Sequence, residues 1–235
     1  MNPLAVLTLA ALSGLPLSNL YAQMTDQTQA DRARMVESQL KTRDITSPEV
    51  LSAMARVPRE RFVPEDVRAF AYDDRPLSIG LGQTISQPYI VAYMTQVLEL
   101  QKDHVVLEVG TGSGYQAAVL AEIAKQVYSI EILPDLAARA KTTLAQAGYR
   151  NVEVRTGNGY RGWPDRAPFH RIIVTAAPPE IPQALIEQLA PGGIMVVPVG
   201  TSNQEIVIVT KTPTGVTQKK TIPVRFVPMV GKPNP

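Results

Sequence analysis

The sequence has no cysteine and only two histidines among its 235 residues. The absence of cysteine excludes disulfide bonds, thiolate catalysis and cysteine-based zinc or iron–sulfur sites. The two histidines, His104 and His170, are far apart in the sequence, so no local histidine-rich metal site is expected.

The chain also lacks a large excess of positive or negative charge. The chain carries 23 basic and 21 acidic residues and a formal net charge of +2. No run of Lys or Arg could neutralise several phosphates in a row, so nucleic-acid binding is not expected. With 45% apolar residues, the chain is long enough to bury one substantial core.

The first 25 residues contain no charged side chain. The apolar run Leu4–Leu12 has the length of a signal-peptide core and is followed by the small-residue site Leu20–Ala22, but no basic residue precedes it. Residues 1–23 are therefore either a cleaved export signal or an over-long start before Met24. The run is shorter than a membrane span requires, so no stable membrane association is expected.

Residues 24–100 are predicted to form a layer of helices and a loop that covers the substrate. Helical spacing of apolar residues predicts helices over 26–41, from Ser47-Pro48 to Met54, and over 89–100. Residues 57–87 are interrupted by proline and glycine and are expected to be a long ordered loop that closes over the substrate. Its expected apolar anchors are Phe62, Val63, Phe70, Tyr72, Leu77, Ile79 and Leu81.

Residues 101–232 alternate strand-like with helix-like segments, which predicts a parallel sheet with crossover helices. The final two strands are joined by a linker too short for a helix and are expected to be antiparallel. The predicted strands are 105–109, 126–132, 152–156, 171–176, 193–199, 204–211 and 221–229, and the predicted helices are 115–125, 134–147 and 181–190. The expected fold class is α/β and Rossmann-like, with a seven-stranded, mostly parallel sheet, an antiparallel C-terminal pair and an N-terminal helical layer.

A glycine-rich turn, EVGTGSGY, joins the first strand of this series to a helix. Such a turn lets a backbone approach a nucleotide-type cofactor, although it can also be a tight turn that needs only positive φ. The spacing is GxGxG and not the GxGxxG of dinucleotide-binding proteins. A carboxylate at Glu108 would repel a diphosphate and suit a cofactor with an ammonium and a sulfonium, such as S-adenosylmethionine. The cofactor-binding candidates here are Glu108, Gly110, Thr111, Gly112, Ser113 and Gly114.

Two further strand ends carry candidates for the same cofactor. Glu131 ends the second strand, where a carboxylate can accept both ribose hydroxyls, although it could also be a solvated strand-end residue. Asn158 and Gly159 follow the third strand, where a side-chain amide could bond an adenine edge, although Asn-Gly is also a common turn.

S-adenosylmethionine is a methyl donor, and residues that the sequence lacks exclude some classes of methyl acceptor. Methylation of cytosine C5 needs a cysteine, and the loop Thr175–Pro179 lacks the amide and the aromatic residue typical of amino-group methylation. A carboxylate with a pKa near 4 is already nucleophilic at neutral pH and needs no general base. The scarcity of histidine is compatible with such an acceptor.

The chain resembles the protein-L-isoaspartate O-methyltransferase family over about residues 30 to 230. The matching stretches are MVESQLKTRDITSPEVLSAMARVPRERFVPE, GQTISQPYIVAYM, VLEVGTGSGYQAAVLA, VYSIEI, IIVTAAPPEIP, LAPGGIMVVPVG and VRFVPMVG. The glycine motif recurs across class I methyltransferases, whereas the loop GQTISQP is specific to this family.

The resemblance implies an enzyme that transfers a methyl group from S-adenosylmethionine to the α-carboxylate of isoaspartyl residues in damaged proteins. It implies that Ser86 is the active-site hydroxyl and that Gln83, Thr84 and Gln87 shape the substrate site. It also implies that Arg225–Pro228 is the other wall of the peptide site. From the residues alone, the favoured interpretation is that Ser86 caps the helix that starts near Pro88.

Two positions depart from the family pattern. Asn158 stands where relatives commonly have Asp, which predicts weaker cofactor binding, and His170 stands where relatives commonly have Asp. These changes leave an inactive cofactor-binding protein as an alternative, and a nicotinamide-dependent oxidoreductase is the rival enzyme. A cytoplasmic monomer is expected, with export as the alternative if residues 1–23 are a cleaved signal.

Overall fold

The computed structural model describes residues 17–231, with side chains from residue 26 onward. The prediction for the leader therefore lies largely outside the described residues. The first described helix, α1 (Leu17–Met35), contains the predicted boundary at residue 23 and continues as a π-helical turn, Val36–Leu40. Among the described residues, no helix has the length and apolar character needed to cross a membrane.

The N-terminal layer packs two further helices against the main domain. Helix α2 (Pro48–Arg56) begins at Ser47, whose hydroxyl accepts a hydrogen bond from the backbone N–H of Val50 at 3.3 Å. Six of the ten residues of helix α3 (Pro88–Val97) are buried. The predicted helices of this layer are thus present, but α1 begins nine residues before the predicted residue 26, whereas the other ends are shifted by one to three residues.

The segment 57–87 is ordered, as predicted, but it is not a plain loop. It contains 3₁₀ turns at Arg59–Phe62 and Glu65–Phe70 and a hairpin of β1 (Leu77–Gly80) and β2 (Gln83–Ile85). The hairpin strands have three or four residues, too few for an alternating pattern to be recognised. Two predicted anchors were wrong, since Phe70 and Leu81 are 46% and 54% exposed.

The main domain is a seven-stranded sheet in the order β5-β4-β3-β6-β7-β8-β9. The first five of these strands pair in parallel, and β7, β8 and β9 pair antiparallel. The strands are β3 (Val105–Val109), β4 (Gln126–Glu131), β5 (Val152–Thr156), β6 (Phe169–Val174), β7 (Leu189–Val199), β8 (Gln204–Thr212) and β9 (Gly215–Val224). The helices of this domain are α4 (Tyr115–Ala121), α5 (Pro134–Gln146) and α6 (Gln183–Glu187). The predicted fold is confirmed.

Both faces of the sheet are covered. Val106 of β3 packs with the N-terminal layer and helices α4 and α5, whereas its neighbour Leu107 packs into the opposite core with Phe169 and Trp163. Strands buried on both faces explain the nearly continuous apolar runs in the sequence. Strands β4 and β5 lie on one side of β3, and β6 to β9 lie on the other side. The strand order therefore reverses between β3 and β6, and α/β sheets bind ligands at such a switch point.

One predicted strand was wrong in its extent. Strand β9 ends at Val224, and residues 225–231, here called the crossing segment, leave the sheet and pass over the carboxyl ends of the strands. Ala177, which follows β6, binds the segment by donating its N–H to Val227 O and accepting from Met229 N, both at 2.8 Å. The segment therefore forms part of the wall of a crevice and not the end of the sheet.

Candidate active site

A crevice that is open to solvent at its mouth lies at the carboxyl ends of the parallel strands. Its floor comes from the residues that follow β3, β4, β5 and β6. The hairpin β1–β2 and helix α3 form one side, and the crossing segment forms the other. Of the predicted site residues, those that line it are Gln83, Thr84, Ser86, Gly110, Thr111, Gly112, Ser113, Glu131 and Gly159.

The glycine loop is held by backbone geometry that other residues could not adopt. Gly110 has φ +103°, and a Cβ there would collide with the Thr175 hydroxyl. That hydroxyl donates to Gly110 O at 2.5 Å, which fastens the loop to the end of β6. Gly114, with φ +89°, precedes α4 and packs against Leu144, so it supports the loop from below and does not line the crevice.

Glu131 is the charged side chain placed in the crevice wall. One carboxylate oxygen accepts from Gly112 N at 2.7 Å and the other from Leu133 N at 3.0 Å. The side chain is buried, and each oxygen keeps a further lone pair. The carboxylate is thereby fixed at the end of β4 with acceptor capacity left for a ligand.

Glu108, another predicted cofactor contact, lies beneath the crevice and does not line it. It is fully buried and accepts a hydrogen bond from the Ser129 hydroxyl, which in turn is 2.5 Å from the Thr111 hydroxyl. Burial raises the pKa of Glu108 to about 8, opposed by the Ser129 hydrogen bond and reinforced by Glu131. Burial therefore favours the protonated form of Glu108, and hydrogen bonds through the Ser129 and Thr111 hydroxyls connect it to the crevice wall.

Asn158 has a local structural role. Its side-chain oxygen accepts from Tyr160 N at 3.1 Å and caps the 3₁₀ turn Gly159–Arg161. It also lies against Gly231, where a Cβ would collide with its side-chain oxygen, and it does not line the crevice. Gly159 does line it, and a Cβ there would collide with Val109.

A second depression, here called the side groove, meets the crevice at the hairpin. It is lined by Pro76, Thr84, Ser86, Gln87, Ile90, Thr175 and residues 223–227. Thr84 and Ser86 line both cavities, so the structure places these two hydroxyl side chains where the cavities join. A ligand in the crevice and a second ligand in the side groove would therefore meet near Thr84 and Ser86.

Ser86 is not a helix cap. The N-cap position of α3 is Gln87, and no side chain makes a capping hydrogen bond there. Within residues 26–231 we find no hydrogen-bond partner for the Ser86 hydroxyl. The alternative that Ser86 caps the helix is therefore wrong, and the hydroxyl is available to a ligand.

The sequence predicted a strand over residues 221–229, which did not indicate that the crossing segment leaves the sheet. Buried Gln204 of β8 accepts from Phe226 N at 2.6 Å and donates to Phe226 O at 3.1 Å, which holds the segment as a neighbouring strand would. The prolines at 223 and 228 were the available signal, since proline interrupts a strand. Residues 226–230 consequently line the crevice.

The two histidines lie at the amino ends of β3 and β6, whereas the crevice lies at the carboxyl ends of the strands. Their rings stack with centroids 5.1 Å apart and planes inclined by 9°. His104 Nδ1 accepts from Gln101 N and His170 Nδ1 from Val105 N, each at 3.1 Å. His170 is the second residue of β6, and its stacking on His104 was not predicted because the contact joins distant parts of the sequence.

The sheet order, the glycine loop and the crevice at the switch point define a Rossmann-like protein of the class I methyltransferase type. A family model described as protein-L-isoaspartate(D-aspartate) O-methyltransferase matches residues 30–234. The chain belongs to this family.

Relatives and solved structures agree with this assignment. A protein-L-isoaspartate O-methyltransferase of Synechococcus sp. is 58% identical over 88% of each chain, and one of Gloeobacter violaceus is 56% identical over 83% of this chain and 96% of the relative. A solved structure of such an enzyme superposes with a TM-score of 0.78 at 26% identity, over 87% of this chain and 66% of the other. A Plasmodium falciparum member in complex with S-adenosyl-L-homocysteine gives 0.74 at 24% identity, over 86% and 99%.

Proposed function

We infer that this chain is a repair enzyme that methylates the α-carboxylate of L-isoaspartyl residues in damaged proteins, with S-adenosylmethionine as the methyl donor. The single observation that carries this inference is family membership across residues 30–234. The junction of crevice and side groove at Ser86 supports it, because a donor and a peptide need adjoining sites.

The residues of the crevice fit such a cofactor. Glu131 is a fixed carboxylate suited to ribose hydroxyls, and Gly159 leaves space that a Cβ would fill. The loop from Gly110 to Ser113 offers backbone groups to the amino-acid end. When bound, the cofactor supplies an electrophilic methyl group on a sulfonium. We propose that Glu108, Gly114 and Asn158 act indirectly, by supporting this wall.

Ser86 is proposed to orient the acceptor carboxylate by donating a hydrogen bond. The carboxylate is ionised at neutral pH, so the protein needs no base to remove a proton. Thr84 and Gln87 are proposed to bind the peptide in the side groove, and Gln83 to bound the crevice beside them. The contribution of the protein is then positioning and the exclusion of water.

The test is incubation with methyl-labelled S-adenosylmethionine and a peptide containing isoaspartate, with the aspartate peptide of the same sequence as the control. We expect a base-labile methyl ester on the isoaspartyl peptide only. Binding of S-adenosylhomocysteine without any ester would instead support an inactive cofactor-binding protein, and binding of NAD alone would support an oxidoreductase.

We propose that the enzyme works as a monomer in the cytoplasm, where S-adenosylmethionine is made, with proteins and peptides and not nucleic acids as its partners. Light scattering of the purified full chain checks the monomer. Mass spectrometry of the N-terminus of the mature protein checks the location, because cleavage near residue 23 would indicate export.

A further inference from the structure

Two buried polar side chains beside the crevice have no role in the site described so far. Thr95 on α3 is fully buried, and Gln116, the second residue of α4, is 8% exposed. Gln116 lines the crevice, as do Gly110–Ser113 and apolar side chains of α3, and it follows the glycine loop directly in the chain. A buried amide in such a wall needs a partner for each of its polar atoms.

The hydrogen bonds between these residues fix the direction of the amide. The Thr95 hydroxyl donates its only proton to Val91 O, one turn earlier in the helix, at 2.7 Å. It can therefore only accept from Gln116, whose Nε2 lies 2.9 Å away. The opposite flip of the amide would bring two acceptors together.

The carbonyl oxygen of Gln116 is thus the atom left for the crevice. In the described part of the chain no donor reaches this oxygen. The group it needs is a hydrogen-bond donor, and the amino-acid end of the cofactor has one donor, its α-ammonium, because the carboxylate only accepts.

We propose that Gln116, held by Thr95, accepts a hydrogen bond from the α-ammonium of the bound cofactor. This proposal rests on the proposed function, since it assumes S-adenosylmethionine in the crevice. Gln116 is then a cofactor-binding residue, and Thr95 is a positioning residue that acts through it.

The proposal predicts a selective loss of affinity. Gln116→Met keeps the side-chain volume and removes the carbonyl, so S-adenosylhomocysteine should bind roughly 10-fold more weakly, as for a lost hydrogen bond to a charged group. The deamino analogue of S-adenosylhomocysteine keeps the adenosine and the carboxylate but has no ammonium. Its affinity should be equal for wild type and variant.

Titration calorimetry of the full chain with these two ligands is the experiment. Thr95→Val should weaken S-adenosylhomocysteine in the same selective way but less, about 3-fold, because the amide is no longer oriented. Thr95→Ser keeps the hydroxyl and should bind like wild type. Melting temperatures without ligand check that each variant is folded.

Three outcomes would overturn the proposal. Equal losses for both ligands would indicate a general disturbance of the crevice. Unchanged affinity for both would show that Gln116 does not contact the cofactor, and an effect confined to the KM of the isoaspartyl peptide would assign the carbonyl to the substrate. Failure of the wild type to bind S-adenosylhomocysteine would contradict the proposed function itself.

Discussion

At the scale of single residues, the capacity of a side chain to bind a ligand depends on which of its polar atoms are not already used in hydrogen bonds within the protein. The two oxygens of Glu131 are already bonded to backbone N–H groups, and the amide nitrogen of Gln116 is bonded to Thr95. The Ser86 hydroxyl, by contrast, has no partner in the described residues from 26 to 231. These differences are compatible with the proposed roles, cofactor binding for Glu131 and Gln116 and substrate contact for Ser86.

Ser86→Ala should lower kcat by roughly 10- to 100-fold, because a hydrogen bond to a charged acceptor carboxylate is lost. Affinity for S-adenosylhomocysteine should change little. Kinetics with an isoaspartyl peptide and calorimetry check both parts. Ser78→Ala, in the neighbouring strand and away from both cavities, is the matched control. A large loss of cofactor affinity in Ser86→Ala would contradict the assignment.

The pH dependence of stability should report on Glu108. Its pKa is about 8 in the folded protein and near 4.5 when unfolded, so between these values only the folded state holds the proton. The free energy of unfolding therefore falls as pH rises from about 4.5 to 8, by on the order of a few kcal/mol. Glu108→Gln resembles the protonated form and should escape this loss.

Urea unfolding of the ligand-free wild type and Glu108→Gln at several pH values between 5 and 8.5 measures the effect. We expect the variant to gain stability relative to wild type as the pH rises. Parallel curves would show that burial does not raise the pKa of Glu108. The same experiment on Glu180→Gln, an exposed glutamate, separates this effect from a general loss of carboxylate charge.

At the scale of elements, the crevice depends on a segment that belongs to no helix or strand. Gln204 binds both backbone groups of Phe226, and Ala177 bonds the next residues on the other side. The crossing segment is therefore positioned by the sheet without pairing in its ladder. Its side chains can face the ligand while its backbone remains fixed.

Gln204→Met should release the crossing segment while the sheet stays folded. We expect the affinity for S-adenosylhomocysteine to fall by up to about 10-fold, because ligand binding must then order the crossing segment, which costs conformational entropy. Trypsin should cleave after exposed Arg225 faster than in wild type. Gln218→Met on β9, an exposed glutamine away from the crevice, is the control. Unchanged cleavage and affinity would show that Gln204 is not what holds the segment.

The sequence predicted the elements with strong periodicity and missed those without it. The parallel strands and the glycine turn were predictable because apolar runs and glycine spacing are local signals. The β1–β2 hairpin was missed because its strands are too short. The family resemblance implied a wall at Arg225–Pro228, but the path of the crossing segment was not predicted because its hydrogen bonds come from residues about 20 and 50 positions earlier. The Gln116–Thr95 pair was missed because it depends on how α3 packs against α4.

At the scale of the whole molecule, three parts of the chain meet around the crevice. The N-terminal layer supplies the hairpin and α3, the sheet supplies the strand ends, and the C-terminus supplies the crossing segment. Ile79 of the hairpin lies 3.5 Å from the position of a Cβ on Gly112, and Arg139 of α5 donates to Ile79 O at 3.3 Å. A ligand in the crevice therefore touches elements distant in sequence and should stabilise them together.

Limited proteolysis tests whether residues 57–87 close over the substrate. The segment contains arginines that trypsin can cleave, including exposed Arg61 and Arg68, and the crossing segment contains Arg225. We expect S-adenosylhomocysteine with an isoaspartyl peptide to slow cleavage at both places by 5-fold or more, as roughly 1 kcal/mol of added local stability would do. Cleavage at exposed Lys102, remote from the crevice, should be unaffected and serves as the internal control. Identical cleavage of 57–87 with and without both ligands would contradict closure, whereas protection of the crossing segment alone would assign the movement to the C-terminus.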